Sequence, residues 1–132
     1  MKEAFAKAGH YLHIEPGEVW KARDSTIRLI DSLTRKWHEE RYCLILSNQK
    51  LCSDPRWPIV LICPLSSSVN ICAEVDLLID QTDKNGLEKP SRLILSHIQP
   101  ILKTDLETRV GEISATKWDK IVRKIFWHID RP

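Results

Sequence analysis

The chain has 132 residues, 42% of them apolar and 29% charged, with a formal net charge of +2. These proportions fit one globular domain with its own core and exclude fibrous, low-complexity and disulfide-stapled classes. No apolar run approaches the ~20 residues needed to cross a bilayer, and the opening MKEAFAKAGHYLHIEPG carries charges throughout, so a cytoplasmic protein without a secretion signal or membrane contact is expected.

In chain order, residues 2–11 are rich in Ala and Lys and predict a helix, within an N-terminal helical extension over 1–15 of a single domain spanning 1–132. Pro16-Gly17 ends it. Residues 18–22 alternate apolar and polar and predict a short strand. Over 24–40, Ile27, Ile30, Leu33 and Trp37 recur every three or four positions, which predicts an amphipathic helix capped by Asp24 or Ser25. Residues 41–47 and 59–65 are apolar runs of strand length, the second continuous enough for a central strand. The segment between them, with Asp-Pro and Trp-Pro, reads as a loop. Residues 72–79 predict a third such strand, 80–90 a turn-rich loop around Asn85-Gly86, and 92–95 a short strand. Residues 96–103 read as irregular, with Pro100 inside, and 107–113 as an edge strand. Ser114 caps a final helix whose stripe is Trp118, Ile121, Val122, Ile125 and Ile129. The expected fold is mainly β with flanking helices (α+β), a small bent barrel-like sheet of five to seven strands with a C-terminal helix and extra helices near the N-terminus and at 24–40.

Several chemistries lack their signatures. The four cysteines, at 43, 52, 63 and 72, form no C-x-x-C pair. Cys43 and Cys63 read as small core residues, a disulfide being the minority alternative. Among the five histidines only His10 and His13 are closely spaced, and they sit at a helix end. There is no Gly-rich phosphate loop and no G-x-S-x-G elbow, so neither a metal nor another cofactor is expected. What remains is a composite: Arg41 opens one apolar run and Ser66-Ser67-Ser68 closes the next. If the two strands are antiparallel neighbours, a guanidinium and three hydroxyls share one end of the sheet, a donor set suited to a phosphodiester. The serines alone read equally as a polar turn.

GEVW at 17–20, RYCLILSNQ at 41–49, VLICPLSSS at 60–68 and NGLEKPSRLILSHIQPI at 85–101 come in an order that resembles the MazF/PemK toxins of type II toxin–antitoxin pairs, and the tail KTDLETRVGEIS with its helix is similar too. The resemblance runs from about Pro16 to the C-terminus. It implies an SH3-like barrel, a homodimer, a cognate antitoxin as partner, and metal-independent cleavage of single-stranded RNA as the activity. The family's strand-opening Arg falls on Arg41 and its strand-closing Thr on Ser66, which keeps the hydroxyl. Ser67, Ser68, Glu18, Trp20, Gln99 and Lys103 join them as candidate substrate contacts, although Trp20, like Trp118 and Trp127, also reads as core; Trp37 and Trp57 are candidates for stacking on bases.

The chain departs from the family pattern at three places: Arg41-Tyr42 stands for Arg-Pro, the expected 24–40 helix for a Gly-rich loop, and Ser96-His97 for an acid followed by Gln. Cleavage by the RNA's own 2′-OH needs charge stabilisation, suited to Arg41, and a group titrating near neutrality. His97 is the first candidate for that role, with His38, three residues before Arg41, as the other. The competing readings are a CcdB-like toxin that binds gyrase and a non-catalytic nucleic-acid-binding module of the same fold.

Overall fold

The computed structural model describes residues 13–30, 38–68 and 74–130; the predicted N-terminal helix, Trp37 and Cys72 lie outside them. Seven strands are present among the described residues: β1 Glu18–Arg23, β2 Glu40–Ile45, β3 Ile59–Ser66, β4 Leu77–Ile79, β5 Ser91–Leu93, β6 Gln99–Leu102 and β7 Leu106–Glu112. Two α-helices accompany them, α1 Gln49–Ser53 and α2 Ala115–Ile129. The strands form one antiparallel sheet in the order β4-β5-β3-β2-β1-β7, with β6 also paired to β3. The expected mainly β, α+β architecture with a C-terminal helix is observed. The sheet stays open, with β4 and β7 at its two ends rather than paired to each other.

β3 organises the molecule. One edge pairs with β2, Cys43 opposite Pro64 and Ile45 opposite Ile62. The other edge is shared: Ile59 to Ile62 pair with β6, and Leu65 and Ser66 pair with β5. The changeover falls at Cys63-Pro64. Proline has no N–H to donate, and the Pro64 carbonyl accepts from Ile94 N at 2.9 Å, where the chain crosses from β5 to β6.

Both sheet faces are covered, which is why β2 and β3 read as unbroken apolar runs. Trp20, Ala22, Cys43, Ile45, Val60, Ile62 and Ile101 pack on one face with Ile14 and Ile27. Val19, Leu44, Cys63, Leu65, Ile79 and Leu93 pack on the other under Ile121, with Trp118 and Ile125 alongside. Ser114 caps α2 by accepting from Lys117 N. Only part of the expected stripe is covered: Val122 and Ile129 are exposed, as are Phe126 and Trp127 outside the stripe, so Trp127 is a surface residue and not the core residue expected.

The predicted helix over 24–40 is replaced, within the described residues, by a single 3-10 turn at Asp24–Thr26, after which the backbone is extended. Ile27 is anchored in the core, Ile30 is 86% exposed, and Glu40 already belongs to β2. At the start of the segment tertiary bonds prevail over helical spacing: the Asp24 carboxylate accepts from Arg41 and from His38 N. Three smaller expectations also change. The loop after β2 holds α1, capped by Asn48 accepting from Leu51 N. The strand expected over 72–79 is confined to Leu77–Ile79 among the described residues. The irregular stretch 96–103 contains β6, where Pro100 sits exposed on an outer strand.

Candidate active site

Arg41 is the second residue of β2 and Ser66 the last of β3. Continuing the antiparallel phase two residues beyond the Cys43–Pro64 pair sets Arg41 opposite Ser66. The guanidinium confirms the proximity, since Nη1 donates to the Leu65 carbonyl at 3.1 Å. Ser66 in turn pairs with Arg92 of β5. Residues directly opposite on neighbouring strands share a face, so Arg41, Ser66 and Arg92 form one row across three strands.

Arg41 is 7% exposed and its Nε lies 2.9 Å from Asp24 Oδ1. Asp24 is fully buried and its second oxygen accepts from His38 N at 2.8 Å. Burial, and then repulsion from Arg92, lower the Arg41 pKa from the ordinary arginine value; the group stays a cation. Asp24 thus aims the guanidinium along the strand end while leaving Nη2 without a bond in the described residues. On β5, Arg92 Nη1 donates to Asp76 Oδ2 at 2.9 Å.

The serines form the polar turn that their sequence allowed. Ser66 Oγ accepts from Ser68 N at 3.2 Å, which closes a hydroxyl-capped turn and leaves the Ser66 O–H able to donate. Ser67 lines a cavity of ≈ 210 Å³ of mixed charge, with Arg41, His38 and Lys89 on its walls beside Glu40 and Glu88. Ser68 is exposed beside them.

The other candidates lie elsewhere. His97 does not line this cavity: Nε2 accepts from Ile30 N at 3.1 Å and Nδ1 is 2.9 Å from Ser96 Oγ. Gln99 clamps the same stretch, its Oε1 accepting from Arg28 N at 2.8 Å and its Nε2 donating to Arg28 O at 2.9 Å. Glu18 and Trp20 are buried, with Trp20 Nε1 and Arg109 Nε both donating to the Glu18 carboxylate. Glu18 is four residues from Ala22, the β1 partner of Arg41, or about 13 Å along the strand. Lys103 is 4% exposed and donates to the Leu51 and Asp54 carbonyls near the end of α1, at the opposite end of β3 from Ser66. Glu18, Trp20 and Lys103 therefore have structural bonds that hold them away from Arg41. Sequence reading missed Arg92 and Asp24. The signal for Arg92 was a cation opening the run that follows the Asn-Gly loop; Asp24 was noticed only as a helix cap.

The class is thus a small open antiparallel sheet with a terminal helix, carrying a buried arginine beside a strand-end serine at one sheet end. The chain belongs to the family of PemK-like, MazF-like toxins of type II toxin–antitoxin systems, whose sequence model matches residues 15–128. No curated protein matches it significantly. Among solved structures, the Mycobacterium tuberculosis toxin MazF-mt6 superposes with a TM-score of 0.66 at 20% identity, over 87% of this chain and 98% of that one. A mycobacterial endoribonuclease in complex with its cognate antitoxin gives 0.64 at 15% identity, over 90% and 95%. The MazE–MazF complex of Deinococcus radiodurans gives 0.63 at 13% identity, over 93% and 100%. At these identities the likeness is one of fold. No helix among the described residues is long and apolar enough to cross a membrane.

Proposed function

We propose that this toxin is an endoribonuclease that cuts single-stranded RNA by attack of a ribose 2′-OH on the adjacent phosphorus, with no metal ion. The 2′-oxygen forms a bond to phosphorus, the P–O5′ bond breaks, and the products end in a 2′,3′-cyclic phosphate and a 5′-OH. The protein's tasks are to align the backbone and to stabilise the added negative charge. Arg41 supplies the charge through the guanidinium edge that Asp24 leaves open, and the Ser66 O–H donates to a non-bridging oxygen. Of the two imidazoles, His38 lines the cavity beside Arg41 and takes the 2′-OH proton, water protonating the departing 5′-oxygen, while His97 holds the 28–30 stretch. Membership of the toxin family supports a cognate antitoxin as partner and a homodimer as the working form. A cytoplasmic site of action follows from an mRNA substrate.

The observation that carries this reading is the Arg41 Nη1 bond to Leu65 O, which holds the cation at the end of β3 next to Ser66. Incubating the protein with a long RNA in EDTA tests it. Fragments with 5′-OH and cyclic-phosphate ends are expected, with Arg41→Ala slowed by about 10²–10³. No fragments, or fragments indifferent to Arg41→Ala, would overturn it.

A further inference from the structure

Arg92 has no part in the reaction as described, yet it stands in the same cross-strand row, on the far side of Ser66 from Arg41. Neighbouring strands lie about 4.8 Å apart, so the two arginines flank Ser66 from backbones about 10 Å apart, within the reach of two long side chains converging on one group. Asp76, 6% exposed, grips Arg92 by one oxygen only. Its Oδ1 and the Arg92 Nε are both buried without a hydrogen-bond partner. Buried polar groups are nearly always paired; a carboxylate oxygen cannot bond an anion, but the orphaned Arg92 Nε is a donor that a phosphate oxygen can take. Arg92 and Arg41 also repel one another across Ser66, and an anion seated between them relieves that repulsion.

We propose that Arg92, positioned by Asp76, is a second phosphate-contacting cation of this site, so that one RNA phosphate is held between two guanidinium groups over the Ser66 hydroxyl. The proposal rests on the RNA reading above. The two arms divide the work: Arg41, tied to Asp24 and to Leu65 O, is rigid, whereas Arg92 is 23% exposed at its side chain and anchored through Nη1 alone, and it closes on the bound backbone.

The test uses a mixed-sequence 2′-O-methyl RNA, which lacks the attacking hydroxyl and reports binding without cleavage. Its affinity is measured by fluorescence anisotropy across a salt series. Each cation in contact with single-stranded phosphate contributes about −0.7 to the slope of log K against log salt. Arg92→Ala is expected to flatten the slope by about 0.7 and to weaken low-salt binding roughly tenfold, with Arg92→Lys restoring most of the slope. Because Arg92→Ala leaves Asp76 buried and unpaired, the double variant Arg92→Gln/Asp76→Asn provides a folded comparison, checked by its melting curve, and is expected to show the same flattening. An unchanged slope in these variants overturns the proposal. If the wild type also cleaves RNA through Arg41, that result leaves the nuclease reading intact. If instead the slope depends on Arg92 but unmodified RNA is never cut, the two-cation site stands and the nuclease reading fails.

Discussion

At the scale of single residues, the Asp24–Arg41 pair dominates. Two buried charges in contact are a weak source of net stability, yet removing one leaves the other stranded. Asp24→Ala is therefore expected to lower unfolding stability by about 3–5 kcal/mol in denaturant titration, a larger effect than Arg23→Ala, which touches only a solvent-facing pair with Glu107. Ser66→Thr preserves the hydroxyl and is expected to keep cleavage near wild type, whereas Ser66→Ala loses about 10² in rate. A pH–rate profile separates the histidines: its acid limb is expected to vanish in His38→Ala and persist in His97→Ala. The buried thiols carry a further expectation. Burial raises Cys43 to about 12 and Cys52 to about 11, and pushes Cys63 up as well. Reactivity follows the thiolate, so in a Cys72→Ser background Ellman's reagent at pH 8 should find no reactive thiol until denaturant is added.

At this scale the sequence was informative where strand phase alone decides position. Arg41 and Ser66 each mark the end of an apolar run, so antiparallel pairing brings them together whatever the loops do. Glu18 and Lys103 were misjudged because a charged side chain in sequence looks like a surface group. Only the fold reveals that Trp20, Arg109 and two backbone carbonyls occupy them.

At the scale of elements, the strands were legible from their apolar runs and the final helix from its cap and stripe. The opening of the 24–40 segment, Asp24 to Ile30, was not. Its period of three to four is a local signal, and a buried aspartate bonded to Arg41 and His38 N, with Ile27 in the core, outweighs the modest gain of an isolated helical turn. β6 was hidden by Pro100, which normally argues against a strand but is harmless on an outer one. Two element-level outcomes follow. Ser114→Ala removes the acceptor for Lys117 N and is expected to reduce stability by about 1 kcal/mol. Gly111→Ala is expected to be worse, above about 2 kcal/mol, because an added Cβ would lie 2.4 Å from the Lys84 carbonyl oxygen, where the 80–90 loop presses on β7. Thermal melts rank the two.

At the scale of the whole molecule, the sheet depends on pairings between distant parts of the chain: β1 lies between β2 and β7, with Glu18 opposite Glu112. α2 closes the second core face, burying Ile121 completely and covering Leu65, Leu93 and their neighbours. Full burial of an apolar side chain contributes about 1.5–3 kcal/mol, and a domain has only about 5–15 kcal/mol in all. A chain ending at residue 113 is therefore expected to lose its cooperative thermal transition and to bind the dye ANS; a sharp melt in that truncation would show the sheet self-sufficient.

The stretch leaving β1 is fastened to the 97–99 segment entirely through its own main chain: the amides of Arg28 and Ile30 and the carbonyl of Arg28 meet Gln99 and His97. Attachment of that kind is indifferent to which side chains hang from residues 28 to 30, proline apart. Side-chain substitutions at those positions therefore leave the segment fastened, whereas loss of the Gln99 amide releases both of its ties to Arg28 at once.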